Sequence, residues 1–366
     1  MRILMLEGFD RGNFSTRWRT YCVGEYLRQH GHQVRYYHLL LNVDEAPVLR
    51  GLPAVVQQAA LRLIAAVRAV LARRWCRWAG RVIVLNVYSS RWLTRYLNRR
   101  CGGYVYDTVD FADTEDFIRL HCAPGWRGMP QRLKMRMNYR TFLAYVDNAR
   151  IVCTNNFHCI EQAGRRGRKT HLFIDPIPNE YLKPLPQREP GAPFILGWTG
   201  SFATTRYLEE YIDVLTFFTR GRGVRLELME GEPRFAAKAN ATVVPWTVDN
   251  FKQHLPHWSV GIAPLPSSVP FTGKFPGKIL QYMAAGIPSI VTPKGMATHF
   301  ITHGETGFYA NTADEWIGFI HHFIEHPEDV VRMGRNARAD FEARFSLEAQ
   351  MPAYEHALSL NDTGGA

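Results

Sequence analysis

The 366-residue sequence predicts an α/β protein made of two doubly wound parallel-sheet domains in series, facing a central cleft. Three observations predict it. Short apolar runs alternate with segments of helical period, the signature of strands separated by crossover helices. The pattern is interrupted at residues 175–193, DPIPNEYLKPLPQREPGAP, which hold six prolines and no period, and it then restarts. At roughly 150 residues per domain, the length suits two domains, each with its own core.

In the first half, Ile3–Leu6 reads as a buried strand, Gly8–Ser15 as a loop, about Thr16–Gln29 as a helix ended by Gly31, and Gln33–His38 as a second strand. That is a βαβ unit. Further strands fall at Val82–Leu85, Tyr104–Tyr106, Arg150–Cys153 and His171–Ile174, with helical segments near Pro53–Trp78, Arg91–Leu97, Gln131–Val146 and Asn156–Ala163. After the proline-rich stretch, strands read at Phe194–Trp198, Arg225–Met229, Thr242–Pro245, Ser259–Ala263 and Ile287–Thr292. Helices read at Thr204–Thr219, Val248–Gln253 and Gly277–Ala285, and Ala313–Phe345 as two helices broken near Pro327. Ligands of such sheets sit beyond the carboxyl ends of the strands, so the loops there are where chemistry is expected.

With 46% apolar, 13% aromatic and 21% charged residues, intrinsic disorder is excluded. The net charge of +11 is unevenly spread. Residues 1–190 carry thirty Lys and Arg against fifteen Asp and Glu, whereas residues 191–366 carry fourteen against eighteen. The first half is therefore expected to face an anionic partner, the alternative being a basic, well-solvated surface. The six cysteines, at 22, 76, 101, 122, 153 and 159, form no C-x-x-C pair, so neither a zinc site nor a disulfide framework is indicated and a reducing cytoplasm fits. MRILMLEGFDRGNF has only four consecutive apolar residues before Glu7, and no run approaches a membrane span, so neither a cleaved signal nor a spanning helix is expected.

Three segments carry possible chemistry. The loop Glu7–Ser15 leads from a strand into a helix, where backbone N–H groups and the helix dipole can hold an anion or a hydroxylated ligand. Gly12, Asn13 and Arg17 are its candidates. It is not G-x-G-x-x-G, so the simplest argument for a dinucleotide is absent. Gly197-Trp198-Thr199-Gly200-Ser201 follows the first strand of the second half, with Arg206 at the next helix; its glycines admit a phosphate or serve steric needs alone. The third segment, Pro270–Thr292, brings Lys274 and Lys278 to a helix start set by Pro276. Two cations at a helix N-terminus suit a diphosphate leaving group.

Lys278–Val291, KILQYMAAGIPSIV, followed by Gly295 and by His303-Gly304-Glu305-Thr306-Gly307-Phe308, resembles the donor-site signature of the family four retaining glycosyltransferases, the glycosyl transferases group 1. GWTGS at 197–201, Tyr104–Asp110 and Phe345-Ser346 resemble the same family in the same order. The resemblance implies the GT-B fold of two facing Rossmann-like domains: 1–180 for an acceptor, 181–345 for a nucleotide-sugar, and 346–366 as a C-terminal helix returning to the first domain. It implies that Lys278, with Arg206 and Lys274, contacts the donor diphosphate, with Gly200, Ser201, Gln281 and Tyr282 also on the donor side. Gln281 stands where many relatives have a glutamate on the ribose, and its amide oxygen can still accept a bond. A second glutamate common in relatives falls at Gly273, which has no side chain.

Asp107 and Asp110 follow a first-half strand and are expected to bind acceptor hydroxyls or to stabilise an oxocarbenium-like centre, with Asp110 placed among the catalytic residues beside Lys278 and Arg206. The alternative is a helix N-cap series with Asp113, Glu115 and Asp116. Pro53–Trp78, with arginines at 62, 68, 73, 74 and 77 and tryptophans at 75 and 78, reads either as a helix on an anionic membrane surface or as a domain helix with a basic outer face. The expected function is retaining transfer of a sugar from a nucleotide diphosphate donor to a glycan or lipid-linked acceptor, in bacterial cell-surface polysaccharide or glycoconjugate synthesis. No metal and no cofactor beyond the co-substrate are expected, nor is nucleic acid, and the place is cytoplasmic or peripheral on the membrane's inner face. The rival readings are a nucleotide-sugar epimerase and a catalytically silent glycan- or anion-binding protein.

Overall fold

The computed structural model describes residues 1–7, 16–39, 51–85, 91–109, 128–184, 191–221, 223–266 and 275–359. The chain divides into two compact units, Met1–Pro176 with Gln350–Ala366, and Ile177–Ala349.

The first unit runs β1 (Arg2–Glu7), a π-helical stretch Arg17–Cys22 continuing into α1 (Val23–Gln29), β2 (Gln33–His38), α2 (Ala54–Leu71), α3 (Arg73–Trp78), β3 (Arg81–Leu85) and α4 (Arg91–Cys101). It continues with β4 (Val105–Thr108), α5 (Met129–Asn148), β5 (Ile151–Thr154), α6 (Phe157–Arg165) and β6 (Lys169–Leu172). Its six strands are parallel, in the order β2-β1-β3-β4-β5-β6. Alternate residues Leu4, Leu6, Val82, Val84, Tyr106 and Val152 pack against Ala69, Leu97, Tyr145 and Val146 of the helices on one face. Both faces of a parallel sheet are covered, which is why these strands read as continuous apolar runs. Strand order reverses between β1 and β3. The segments after those two strands, 8–15 with Gly12 and Asn13, and 86–90, lie outside the described residues, as does Asp110.

The expected position of Asp107 is corrected here. Its carboxylate is 1% exposed, because β4 turns it inward toward Arg19, which is itself fully buried. Arg19 Nε donates to Asp107 Oδ1 at 2.6 Å, and Nη1 donates to the Phe173 carbonyl at 2.6 Å and to Asp175 Oδ1 at 3.1 Å. The guanidinium lies 4.9 Å from the centroid of the Phe173 ring, on which Tyr354 stacks at 4.0 Å. Burial opposes the Arg19 charge, but the two aspartates outweigh it and raise its pKa. Burial pushes both carboxyls up, with Arg19 opposing. Asp107 is thus a core anchor of this unit, with Tyr354 donating to its Oδ2 at 3.4 Å.

Residues 53–78, read as one long helical segment, form two helices meeting at Ala72, and Trp75 packs on the core of the sheet. The Arg35 guanidinium on β2 sits 4.5 Å from the Trp75 ring and 4.4 Å from the Trp78 ring, a cation held between two indoles.

The second unit runs β7 (Phe194–Thr199), a 3-10 stretch Phe202–Tyr211 into α7 (Ile212–Thr219), β8 (Val224–Met229), α8 (Pro233–Ala239), β9 (Ala241–Val244), α9 (Val248–His254) and β10 (Val260–Ala263). Then follow α10 (Gly277–Ala284), β11 (Ser289–Val291), α11 (Ala297–Phe300), β12 (Gly307–Tyr309), α12 (Ala313–Glu325), α13 (Pro327–Arg344) and α14 (Leu347–Ser359), whose residues from Gln350 group with the first unit. The strands are parallel, ordered β12-β11-β10-β7-β8-β9. Leu196, Trp198, Leu226, Leu228, Ile262 and Ile290 pack with Phe218, Trp316 and Phe323 in its core.

Arg19→Met removes the counter-charge of two buried aspartates and is expected to cost about 3–5 kcal/mol. Each carboxyl then titrates still further above its unfolded value, so the deficit is largest at neutral pH and shrinks as the pH falls through those raised values. Urea unfolding of both proteins at pH 7.5 and pH 5 measures this. A deficit that grows toward acid would contradict the assignment.

Candidate functional site

The second sheet reverses its strand order between β7 and β10, the place where doubly wound sheets open a crevice at the carboxyl ends of their strands. One side chain from α10 ties the two strand ends together there. The Tyr282 hydroxyl accepts from the Thr199 N–H at 3.3 Å and donates to the Ile262 carbonyl at 3.0 Å. Its ring is fully buried on Gly261, where an added Cβ would overlap it, and burial pushes its phenol pKa up. Tyr282, expected to face the donor, is therefore enclosed; it fixes where α10 begins relative to the end of β7.

At that beginning stands Lys278, half-buried, its Nζ 4.4 Å from the centroid of the Trp198 indole. The Trp198 ring in turn occupies the space where a Cβ on Gly200 would lie. A Cβ on Gly197 would likewise overlap the Trp258 ring. The two glycines of GWTGS thus answer to indole packing, and Gly200 acts on Lys278 through Trp198. No acidic residue occupies the first turn of α10, so Lys278 and the positive end of the helix dipole reinforce one another.

One turn on, Gln281 is 7% exposed and its Oε1 has no hydrogen-bond partner. A buried acceptor left unmade costs about 1–3 kcal/mol, which a hydroxyl donor from a ligand would recover. Ser201 is exposed, its N–H donating to Thr204 Oγ1 at 3.0 Å. Arg206 is exposed on the 3-10 stretch, its guanidinium 5.3 Å from the Tyr207 ring centroid. The structure therefore sets Lys278 on Trp198 beside the Gly200 turn, with Gln281 three residues further along α10, while Lys274 and Gly273 lie outside the described residues.

In the first unit, Arg17 is half-buried at the start of the π-helical stretch. Beside it the structure adds a group that sequence reading missed. At the carboxyl ends of β1 and β2, the Glu7 carboxylate, 1% exposed, lies 3.4 Å from His38 Nδ1 and accepts from the Tyr21 hydroxyl at 3.4 Å. That hydroxyl is 3.0 Å from His38 Nε2. Glu7 read as the start of the loop after the first strand and His38 as the end of the next strand; the parallel pairing of β1 with β2, which sets Glu7 opposite His38, is the signal that joins them.

The sequence profile described as Glycosyl transferases group 1 matches residues 199–326. The match lies within the second unit and covers about a third of the chain, so the likeness to that group is carried by the second unit. Among solved structures, sucrose-phosphate synthase from Thermosynechococcus elongatus superposes with a TM-score of 0.71 at 15% identity, covering 98% of this chain and 99% of that one. Anabaena HepE in complex with UDP-glucose gives 0.66 at 13% identity over 98% and 100%. The lipopolysaccharide outer core galactosyltransferase WaaB, in its apo form, gives 0.62 at 13% over 98% and 99%. At such identities the likeness is one of fold, and that fold is GT-B. No curated protein sequence matches it.

Gly200→Ala is expected to destabilise by about 1–3 kcal/mol, since the added methyl must displace the Trp198 ring. Ser201→Ala, on an exposed residue, is expected to stay within about 0.5 kcal/mol. Chemical denaturation reads both, and equal midpoints would refute the steric role given to Gly200.

Proposed function

We propose that the chain transfers a sugar, with retention of configuration, from a nucleoside diphosphate sugar bound by the second unit to a glycan or lipid-linked acceptor bound by the first. The observation that carries the reading is the buried, unpartnered Gln281 Oε1 one helical turn beyond Lys278, at the strand-order reversal of a glycosyltransferase-family unit. In this reading Lys278 and the start of α10 bind the diphosphate, and the Gln281 amide oxygen accepts from a ribose hydroxyl. Arg206 and Lys274 are further cations for the diphosphate, and the Gly200-Ser201 backbone lines it. The HepE structures hold UDP and UDP-glucose, which makes a uridine diphosphate sugar the first donor to try.

The acceptor hydroxyl attacks the anomeric carbon from the face the phosphate leaves. Its oxygen bonds to that carbon as the carbon–phosphate oxygen bond breaks, and its proton passes to the departing phosphate oxygen. Such a step rests on positioning and on stabilising the leaving charge, the task assigned to Lys278. A divalent cation is not part of this proposal, because lysine and arginine supply the charge. Gly12, Asn13, Arg17 and Asp110 remain the proposed acceptor-side residues, and a bacterial cell-surface glycan or glycoconjugate is the proposed product class.

Thermal shift against UDP-, GDP-, ADP- and CMP-sugars tests the donor site, since a ligand at 100 times its Kd stabilises by about 2.7 kcal/mol. One nucleotide class is expected to shift the midpoint, and no shift with any would sink the reading. Lys278→Ala is expected to weaken the bound nucleotide on the order of 10- to 100-fold, the loss of one charge-assisted contact. Turnover of the sugar nucleotide without any acceptor would favour the epimerase instead. Activity abolished by EDTA and restored by a divalent ion would contradict metal-independent transfer.

A further inference from the structure

Helices α2, α3, α4 and α5 lie, with α6, on one face of the first sheet. On α2 and at its end, Ala65, Ala69 and Ala72 are buried, at 4%, 1% and 0% exposure, and Leu61 and Ile64 are half-buried. Four large apolar side chains nevertheless face out, with Leu63 68%, Val67 51%, Val70 47% and Leu71 57% exposed, at spacings of four, three and one that keep them on one stripe. On α5, Met129, Leu133 and Met137 repeat every four residues and are 64%, 60% and 56% exposed. A soluble helix layer ordinarily buries such side chains.

The charge on the same four helices is one-sided. By sequence, α2 carries two basic residues, α3 three, α4 four and α5 four, while the four together hold one acidic residue, Asp147. That aspartate is committed to Arg166 at 2.5 Å. Arg73, Arg74, Arg95, Arg136 and Arg140 are exposed around the apolar stripes. A second copy of this layer would set like charges against each other, whereas an anionic lipid surface offers both an apolar interior and the opposite charge. No described helix is long and apolar enough to cross a membrane, so such a layer lies on the surface.

We infer that the outer side of this helix layer is a membrane-docking face, in which Leu63, Val67, Val70 and Leu71 of α2 and Met129, Leu133 and Met137 of α5 enter the headgroup region of an anionic bilayer and the surrounding arginines pair with lipid phosphates. The tryptophans of α3 take no part, being held against Arg35. This deepens the lipid-linked acceptor reading and rests on it for its purpose, but its test needs neither donor nor acceptor.

The full chain is sedimented with phosphatidylglycerol-containing vesicles and with pure phosphatidylcholine vesicles, at low and high salt. Binding is expected to the anionic vesicles, weakened by salt, with little to the neutral ones. Leu63→Glu with Val67→Glu, and separately Leu133→Glu with Met137→Glu, are expected to reduce it tenfold or more. Phe217→Glu, an exposed apolar position on the second unit, is the control expected to bind like the unaltered protein, and circular dichroism checks that each variant is folded. No binding to anionic vesicles, equal binding by folded glutamate variants, or a dimer in ultracentrifugation that the same variants dissolve would each overturn the docking face. Nucleotide thermal shifts measured on the same variants separate this outcome from a failure of the donor site.

Discussion

The second unit depends on a single hydroxyl that bridges two strands across the reversal of its sheet. Tyr282 accepts from the end of β7 and donates into β10, so the start of α10 cannot move independently of the turn at Gly200. Everything assigned to the donor follows from that tie. Lys278 stands one turn before Gln281 on the same helix, its ammonium resting on an indole that Gly200 leaves room for. The buried tyrosine is favourable because both its hydroxyl functions are satisfied by backbone groups, so its ring adds apolar burial without stranding a polar atom. Two buried polar atoms there, Gln281 Oε1 and Trp198 Nε1, are left without a hydrogen-bond partner within the protein.

The first unit is organised differently. Its central constraint is a buried cation shared by two aspartates, with an aromatic pair beneath it. Such an arrangement adds little net stability compared with an apolar core, but removal of either partner is expensive, so it fixes one arrangement of β4, the π-helical stretch and the C-terminal helix. The aromatic ring of Tyr354 carries α14 onto this network.

Much of the architecture was legible from the sequence because parallel strands buried on both faces leave continuous apolar runs, and crossover helices leave a 3.6 period between them. The helix start at Gly277 was legible too, through the loop-to-helix pattern opened by Pro276. Three things were not. Asp107 read as an acceptor-side or helix-capping carboxylate because it follows a strand, and only its long-range pairing with Arg19, 88 residues away in sequence, makes it core. The glycines of GWTGS left a phosphate and a steric need as alternatives, and only the folded chain shows the rings of Trp198 and Trp258 in the space their Cβ atoms would take. The period of α2 indicated an amphipathic helix without saying which side is inward, since alanines and leucines are both apolar; the fold decides it by packing the smaller residues against the sheet.

A crystal structure of the chain with UDP tests the proposed nucleotide site at α10 and the end of β7 most directly. The diphosphate is expected within hydrogen-bonding distance of Lys278 Nζ and the first N–H groups of α10, with a ribose hydroxyl donating to Gln281 Oε1. A nucleotide bound elsewhere, or one that leaves Gln281 Oε1 without a partner, would contradict it.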